Sequence, residues 1–455
     1  MLKTSLKTLP AVLSALGLLL SLHGGQASAM DVADAYRQSL AVDPTSLAAD
    51  QALLAGREAA VQGDALLKPQ VNLQAGVSRI HNRQTGELSA PANELLASTS
   101  TGTARQAAVT MVQPLYNGGL TASRRQLREQ STLAKTQFSA SRQEQALRVA
   151  QAYFGVLVAE ETLRVVQAER DAVQAQRDRA QARFEVGQDR ITDLHEAQAR
   201  LDAVKTREVA ATSTLELRRA QFHETVGAEP TQLTPLAEHF VPRMPEPAAL
   251  VDWQTLGESQ STQVLAKKSA LEIASAELSK HRLDSRPTLD LVGRYSASNE
   301  RGNLSPLVAP SGDRTSSLGV VLNVPLYAGG GLDSRQREAV ARQGQAEQEL
   351  AAAKRDVRLQ VQDGYLAVTT GVSRVAAQEQ ALNSARTALA ATMQGRDVGT
   401  RTALDVLDAQ QRYFNAQLEL LQGRVDYLMG RLRLAAAAGE LDEGSLRALS
   451  PWLAH

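Results

Sequence analysis

The sequence predicts an internally duplicated α+β chain: two long helical hairpins, each preceded by a pair of amphipathic strands. Three observations predict it. Segments repeat with a period near 212 residues, two long tracts lack proline and carry heptad-spaced apolar residues, and period-two alternation precedes each tract.

The repeat is read directly. Val112-Gln113-Pro114-Leu115-Tyr116-Asn117-Gly118-Gly119 returns as Asn323-Val324-Pro325-Leu326-Tyr327-Ala328-Gly329-Gly330. Val186-Gly187 returns as Val398-Gly399, Asp193 as Asp405, Ala197-Gln198 as Ala409-Gln410 and Gly227 as Gly439. Solenoid units run about 20 to 50 residues, so this period marks a duplicated domain rather than an array. The first repeat covers 30–229 and the second 251–440, with a linker at 230–250 and a tail at 441–455. Each repeat is expected to run helix, strand pair (about 67–115 and 286–327), then helical hairpin (about 118–226 and 331–437).

Proline placement separates the parts. None occurs between Pro114 and Pro230 or between Pro325 and Pro451, whereas nine of the fifteen fall from 230 to 325. The proline-free tracts are the helical ones. In the second, Leu407, Phe414, Leu421 and Leu428 recur every seven residues with Leu418, Val425 and Leu432 four positions on, an apolar seam of coiled-coil type. In the first, Val166, Val173 and Ala180 keep that spacing with smaller side chains. Each tract breaks once, at Val186-Gly187-Gln188-Asp189 and at Val398-Gly399-Thr400, where glycine suits a helix C-terminus.

Upstream, Val71, Leu73, Ala75 and Val77 alternate with Asn72, Gln74 and Ser78, and Leu318, Val320, Leu322 and Val324 alternate with Gly319 and Asn323. These predict strands with one apolar and one polar face. Stretches 80–105 and 297–316, rich in Ser, Thr, Asn, Gly and Pro, read as exposed loops. About four strands per chain cannot close a membrane barrel, whose smallest form has about eight, and lipid tolerates no open strand edge. The residues therefore demand an oligomer without fixing its order.

The N-terminus supplies the compartment. Lys3 and Lys7 precede the apolar run Ala11 to Leu22, and Ala27-Ser28-Ala29 offers a cleavage site, so residues 1–29 read as an export signal. The run is shorter than the roughly twenty residues a spanning helix needs. No cysteine is present, which excludes disulfides, thiolate metal sites and a lipid-modified cysteine anchor. The formal charge is zero, and nothing in it points to a nucleic-acid partner.

Val398-Gly399-Thr400-Arg401-Thr402-Ala403-Leu404-Asp405-Val406-Leu407-Asp408-Ala409 resembles the VGTRTxxDVLDA segment of the TolC-like outer-membrane efflux and secretion channels. Tyr427-Leu428, the close from Leu441-Asp442-Glu443 to Leu446-Arg447-Ala448-Leu449, and Arg183-Phe184-Glu185-Val186-Gly187 with Ile191-Thr192-Asp193 are also similar to that family. The resemblance covers nearly all of the mature chain. It implies a homotrimer with a twelve-stranded outer-membrane barrel, a twelve-helix periplasmic tunnel, and a small equatorial domain assigned to 230–250 plus the tail. It also implies contact with outer-membrane lipid and two protein partners: a periplasmic adaptor and an inner-membrane pump or ABC transporter.

Site residues follow from the same resemblance. Asp405 and Asp408, three apart on one helix face, are expected to ring the periplasmic aperture, where carboxylates attract cations. Arg396 and Arg401 are expected to link to Thr192 and Asp193 and hold the gate closed; Arg396 stands where a family member carries tyrosine. Glu196, the counterpart of Asp408, adds charge nearby. Val186, Gly187, Val398 and Gly399 form the tips that would dock the adaptor, with glycine permitting close backbone approach. Pro114, Tyr116, Gly118, Gly119, Pro325, Tyr327, Gly329 and Gly330 form the strand-to-helix junctions.

No catalytic function is expected. There is no phosphate-binding Gly-Lys-Ser/Thr loop, and His195-Glu196 is followed by Ala199 where a zinc protease needs its second histidine. No cofactor or metal is expected. The competing reading is a periplasmic coiled-coil adaptor or scaffold, which shares the hairpins but lacks duplicated strand pairs.

Overall fold

The computed structural model describes residues 29–83, 99–188, 190–231, 233–302 and 312–454. The export signal, but for Ala29, lies outside the described residues, as do Asp189 of the first turn and His455. In chain order the elements are α1 (Val32–Val42), α2 (Pro44–Ala65), β1 (Gln70–Arg83), β2 (Thr99–Tyr116), α3 (Gly118–Glu185), α4 (Ile191–Val226), α5 (Leu250–Gln260), α6 (Thr262–Leu283), β3 (Thr288–Gly302), β4 (Gly312–Asn323), α7 (Gly331–Asp397), α8 (Ala403–Ala438) and α9 (Glu443–Arg447). Among the described residues, no helix is long and apolar enough to cross a membrane.

Helices α3 and α7 contain 68 and 67 residues. At about 1.5 Å per residue each is a rod of roughly 100 Å. Neither rod lies bare. Arg124 and Arg142 of α3 bind Asp64 and Asp50 of α2 at 2.7 Å each, so α2 runs antiparallel along the first half of α3. Glu169 and Arg170 pair with Arg207 and Glu208 at 2.7 and 2.5 Å, and α4 runs antiparallel along the second half. Glu169 is only 2% exposed, so this pair fixes the register of the hairpin.

The duplicate repeats the design. Lys267 to Glu349 at 2.8 Å and Glu277 to Arg342 at 3.0 Å place α6 on the first half of α7, and Asp426 to Arg374 at 3.8 Å places α8 on the second. The paired half-helices meet end to end: a Cβ at Gly227 would lie 2.6 Å from Val42 Cγ1, and one at Gly439 would collide with the carbonyl oxygen of Gln260. Both glycines have positive φ, 75° and 86°, which closes α4 and α8 with left-handed caps.

Tyr153, Phe154, Phe222, Tyr427, Leu428 and Leu432, among the largest fully buried side chains, belong to the core cluster at this mid-height junction. Linker and tail are fastened there. Tyr427 Oη donates to Arg243 O and accepts from Arg243 N, both at 2.7 Å, Trp452 Nε1 donates to Val241 O at 2.8 Å, and Leu236 bridges to Leu453.

Burial refines the predicted seams. Val166, Val173 and Ala180 are buried, as are Leu407, Phe414, Val425, Leu428 and Leu432. Leu418 and Leu421 are only half-buried while Leu420 and Tyr427 are buried. A straight helix drifts about 20° per heptad, which moves the stripe off the strict seven-residue count.

The four strands form one antiparallel sheet in the order β1-β2-β3-β4. Two corrections apply to the expected loops: strands continue to Arg83 and resume at Thr99, and continue to Gly302 and resume at Gly312. The Ser/Thr-rich sequence that read as loop is compatible with a pleated strand whose polar face needs no core. The ladders align Val71, Met111, Gly293 and Leu318 in one row and Leu73, Val109, Tyr295 and Ser316 in the next row of the same face. The opposite face aligns Asn72, Thr110, Arg294 and Ser317. Most of the sheet's exposed apolar residues thus lie on one side, with Ile80 and Val321 on the other.

The helix preceding each strand pair, expected to be single, is two helices in both repeats: α1 and α2, then α5 and α6. Asp43 stops one and caps the next, its carboxylate accepting from Thr45 N, with Pro44 at the first position of α2.

Candidate functional site

The site is built at the far ends of the two hairpins. In each, the helix ends on the same pair of backbone bonds: Gly187 N to Phe184 O at 2.9 Å and Gln188 N to Arg183 O at 2.8 Å, then Gly399 N to Arg396 O at 3.0 Å and Thr400 N to Gly395 O at 2.8 Å. These are the crossed bonds of a helix end closed by a left-handed glycine, and φ is 76° at Gly187 and 80° at Gly399. Val186 and Val398 are 68% and 75% exposed, and a Cβ on either glycine would meet nothing within 4 Å.

The following helices start differently. Thr402 caps α8 with a reciprocal box: its hydroxyl accepts from Asp405 N at 3.1 Å, and Asp405 Oδ2 accepts from Thr402 N at 2.8 Å and from Thr402 Oγ1 at 2.9 Å. Its counterpart at the start of α4 is Arg190, which makes no side-chain cap. Asp405 is therefore engaged locally while Asp193, its counterpart, is half-buried with no side-chain partner among the described residues. The Thr402 backbone donor, then its hydroxyl, hold the Asp405 carboxyl below the ordinary aspartate value, and Arg401 and Arg412 act in the same direction.

One turn further along α8, Asp408 is reached from the first hairpin. Arg200 Nη2 on α4 lies 3.4 Å from Asp408 Oδ1 and also donates to Gln411 Oε1. The sequence singled out neither Arg200 nor Gln411. Its one usable signal is that Arg200 lies seven residues beyond Asp193, on the same helix face.

The remaining expected gate residues are separated within one chain. Arg401 and Thr192 are exposed and no ion pair joins Arg401 to Asp193 among the described residues. Arg396 is half-buried between the ends of α3 and α7, where it lines a cleft of about 50 Å³ with Gln176, Arg179, Arg183, Asp397 and Val406. Glu196 is exposed. No group of three or more His, Asp or Glu suited to a metal ion occurs among the described residues.

The strand-to-helix junctions are near-repeats that fold differently. In the first, β2 keeps pairing through Pro114, shifts register before Tyr116, and Asn117 caps α3 by accepting from Leu120 N at 3.0 Å. In the second, β4 ends at Asn323, before Pro325, and Ala328 has no side chain with which to cap. Gly329 and Gly330, at φ 61° and 78°, turn the chain instead, and Leu326 and Tyr327 are 92% and 89% exposed.

Comparison with known proteins places this architecture. Residues 35–228 and 256–440 match the family model described as outer membrane efflux protein. The chain is 33% identical over 418 residues to the outer membrane protein TolC of Vibrio cholerae, covering 91% of this chain and 92% of the relative. It is 28% identical over 440 residues to the alkaline protease secretion protein AprF of Pseudomonas aeruginosa, covering 94% and 89%. The CmeC outer membrane channel of Campylobacter jejuni has the same fold, at a TM-score of 0.75 and 15% identity over 98% of this chain and 97% of that one. With both repeats matched and nearly the whole length shared, this chain belongs to the outer membrane efflux protein family.

Proposed function

We propose that three copies of this chain close one barrel from their four-stranded sheets and continue it as a tunnel of paired helices across the periplasm. The protein is an outer-membrane exit duct for efflux or type I secretion. Cargo reaches it from an inner-membrane pump or ABC transporter through a periplasmic adaptor that docks on the Val186-Gly187 and Val398-Gly399 tips. The observation that carries this reading is the continuity of a one-sided apolar sheet with roughly 100 Å helices. A soluble adaptor or scaffold has no use for exposed Val71, Leu73, Val77, Leu318, Val320 and Leu322 on a single face.

At the narrow end, Asp405 and Asp408 from each copy form a cation-attracting ring, and Asp193 with Arg401 provides the closing link. Neither member of that link has an ion-pair partner among the described residues of its own chain, which suits a bond made between neighbouring subunits. Thr192 and Arg396 flank it. Flux is passive, with energy supplied at the inner membrane; no catalytic step is assigned to the chain. In planar bilayers, multivalent cations on the periplasmic side should block the pore of the purified trimer, and Asp405→Ala combined with Asp408→Ala should relieve the block. Unchanged block in the double variant would sink the aperture assignment.

A further inference from the structure

The sheet separates its charges by face. Its described strands hold six arginines, and the ladders place five of them, Arg79, Arg83, Arg105, Arg301 and Arg314, on the same face as Val71, Leu73 and Leu318. The sixth, Arg294, lies on the other face, together with all three carboxylates, Asp290, Glu300 and Asp313. The five on the apolar side are exposed and form no ion pair among the described residues.

Their height is as ordered as their face. Rows from Leu289 and Leu322 up to Val77 span about 34 Å along the strands, or about 25 Å of height at a tilt near 40°, the thickness of a lipid-facing band. The arginines begin one row inside the upper edge of that band. Arg314 shares the row of Ala107, Arg105 that of Val77, and Arg79 and Arg301 flank Thr103 in the next. Each strand contributes one of these four. They occupy a patch of about 14 Å by about 14 Å, and closing the sheet around an axis would make the patch a continuous belt. The belt lies at the strand ends opposite the helices, hence at the outer leaflet if the helices enter the periplasm.

Arginine at the middle of a lipid-facing strand costs about 2 to 4 kcal/mol and near the interface about 0 to 1. Position at the rim removes the penalty but does not explain why every outward charge is positive. A ligand with several phosphates and an attached apolar body does, because guanidinium binds phosphate in a bidentate manner and the acyl chains continue onto Val77, Leu73 and Val71.

We infer that Arg79, Arg105, Arg301 and Arg314 form a binding belt for the phosphorylated glycolipid headgroups of the outer leaflet. This rests on the reading of the sheet as a barrel wall with its apolar face in lipid. Arg83, one row beyond His81, extends the belt toward the sugar portion of the headgroup.

The experiment titrates the detergent-solubilised trimer with bisphosphorylated lipid A and counts bound glycolipid by native mass spectrometry. The wild-type chain is compared with three variants: the four arginines changed to Gln, the same four changed to Lys, and Arg294→Gln. The Gln quadruple should lose at least tenfold in affinity, the Lys quadruple, which keeps the charge but not the bidentate fork, should fall between it and wild type, and Arg294→Gln should stay within about threefold of wild type. Lipid A stripped of both phosphates should bind the wild type as weakly as intact lipid A binds the Gln quadruple. Wild-type affinity in the Gln quadruple, or equal binding of the stripped lipid, overturns the proposal. So does full competition by a phosphorylated disaccharide without acyl chains, which would assign the belt to a soluble anion. Conductance of the same preparations separates the two readings: pores with unaltered lipid binding in the Gln quadruple refute the belt alone, and absence of pores in the wild type refutes the barrel wall as well.

Discussion

Arg200 Nη2 stands 3.4 Å from Asp408 Oδ1 and joins the first hairpin to the helix that carries both Asp405 and Asp408. The pair is half-exposed, so its contribution is under about 1 kcal/mol. At the proposed aperture its electrostatic effect would exceed its effect on stability, because one cation offsets one of the two carboxylates in each chain. Arg200→Gln should therefore strengthen periplasmic cation block, lowering the half-blocking concentration several-fold in single-channel recordings, and should raise conductance by loosening α8 from α4.

Arg401 makes no ion pair with its own chain's Asp193, although the proposed closing link uses both. Arg401→Ser is expected to raise single-channel conductance and Asp193→Ser to do the same. The double variant should add little, since either loss removes the same bond. Additive increases would place the two residues in separate contacts.

At Gly187 and Gly399 a side chain meets open space, so a substitution there costs only the left-handed backbone, about 1 to 2 kcal/mol each. Leucine at both positions should leave heat-modifiable, detergent-resistant trimers intact while abolishing export. Loss of the trimer would identify the tips as folding elements rather than docking points.

Gly439 presents the opposite case. Its φ is 86° and a Cβ would strike the carbonyl of Gln260, which belongs to backbone and cannot rotate away. Gly439→Ala is expected to destabilise by roughly 2 to 4 kcal/mol, by strain and overpacking together. Thermal melting of the trimer and limited proteolysis near residue 439 are the measurements that check it.

Asp405 is held below the ordinary aspartate value of about 3.9 by the Thr402 donors. A depressed folded value means that its charge, and the cap it supports, are present above the unfolded value and are lost as pH falls through the folded one. Cation block should therefore persist to a pH below that range. Thr402→Ala removes the hydroxyl donor while keeping the backbone one, and should shift the loss of block part of the way to higher pH.

Much of this molecule was legible before any coordinates. Repeats, proline gaps and heptads locate α3, α4, α7 and α8, because long helices state their period many times over. Strand ends were not legible, since Ser and Thr alternate in strands with a polar face as readily as they fill loops. The Asn117 cap against the paired turn of Gly329 and Gly330 shows how one side chain changes a junction that the repeat presents as equivalent. Arg200 escaped because its partner lies 208 residues away. The arginine belt escaped for a related reason: Arg79, Arg105, Arg301 and Arg314 acquire a common face only when four alternating patterns are set in phase, and the phase is a property of the ladders.

The end-to-end meetings at Gly227 with Val42 and at Gly439 with Gln260 have a mechanical meaning. In each repeat one rod is covalently unbroken and its companion is jointed at mid-height. A load on the hairpin ends at Gly187 and Gly399 has unbroken backbone along α3 and α7, but along α4 and α8 it meets a non-covalent contact at mid-height. The linker and tail, fastened through Tyr427 and Trp452, thus brace the height at which only α3 and α7 are continuous.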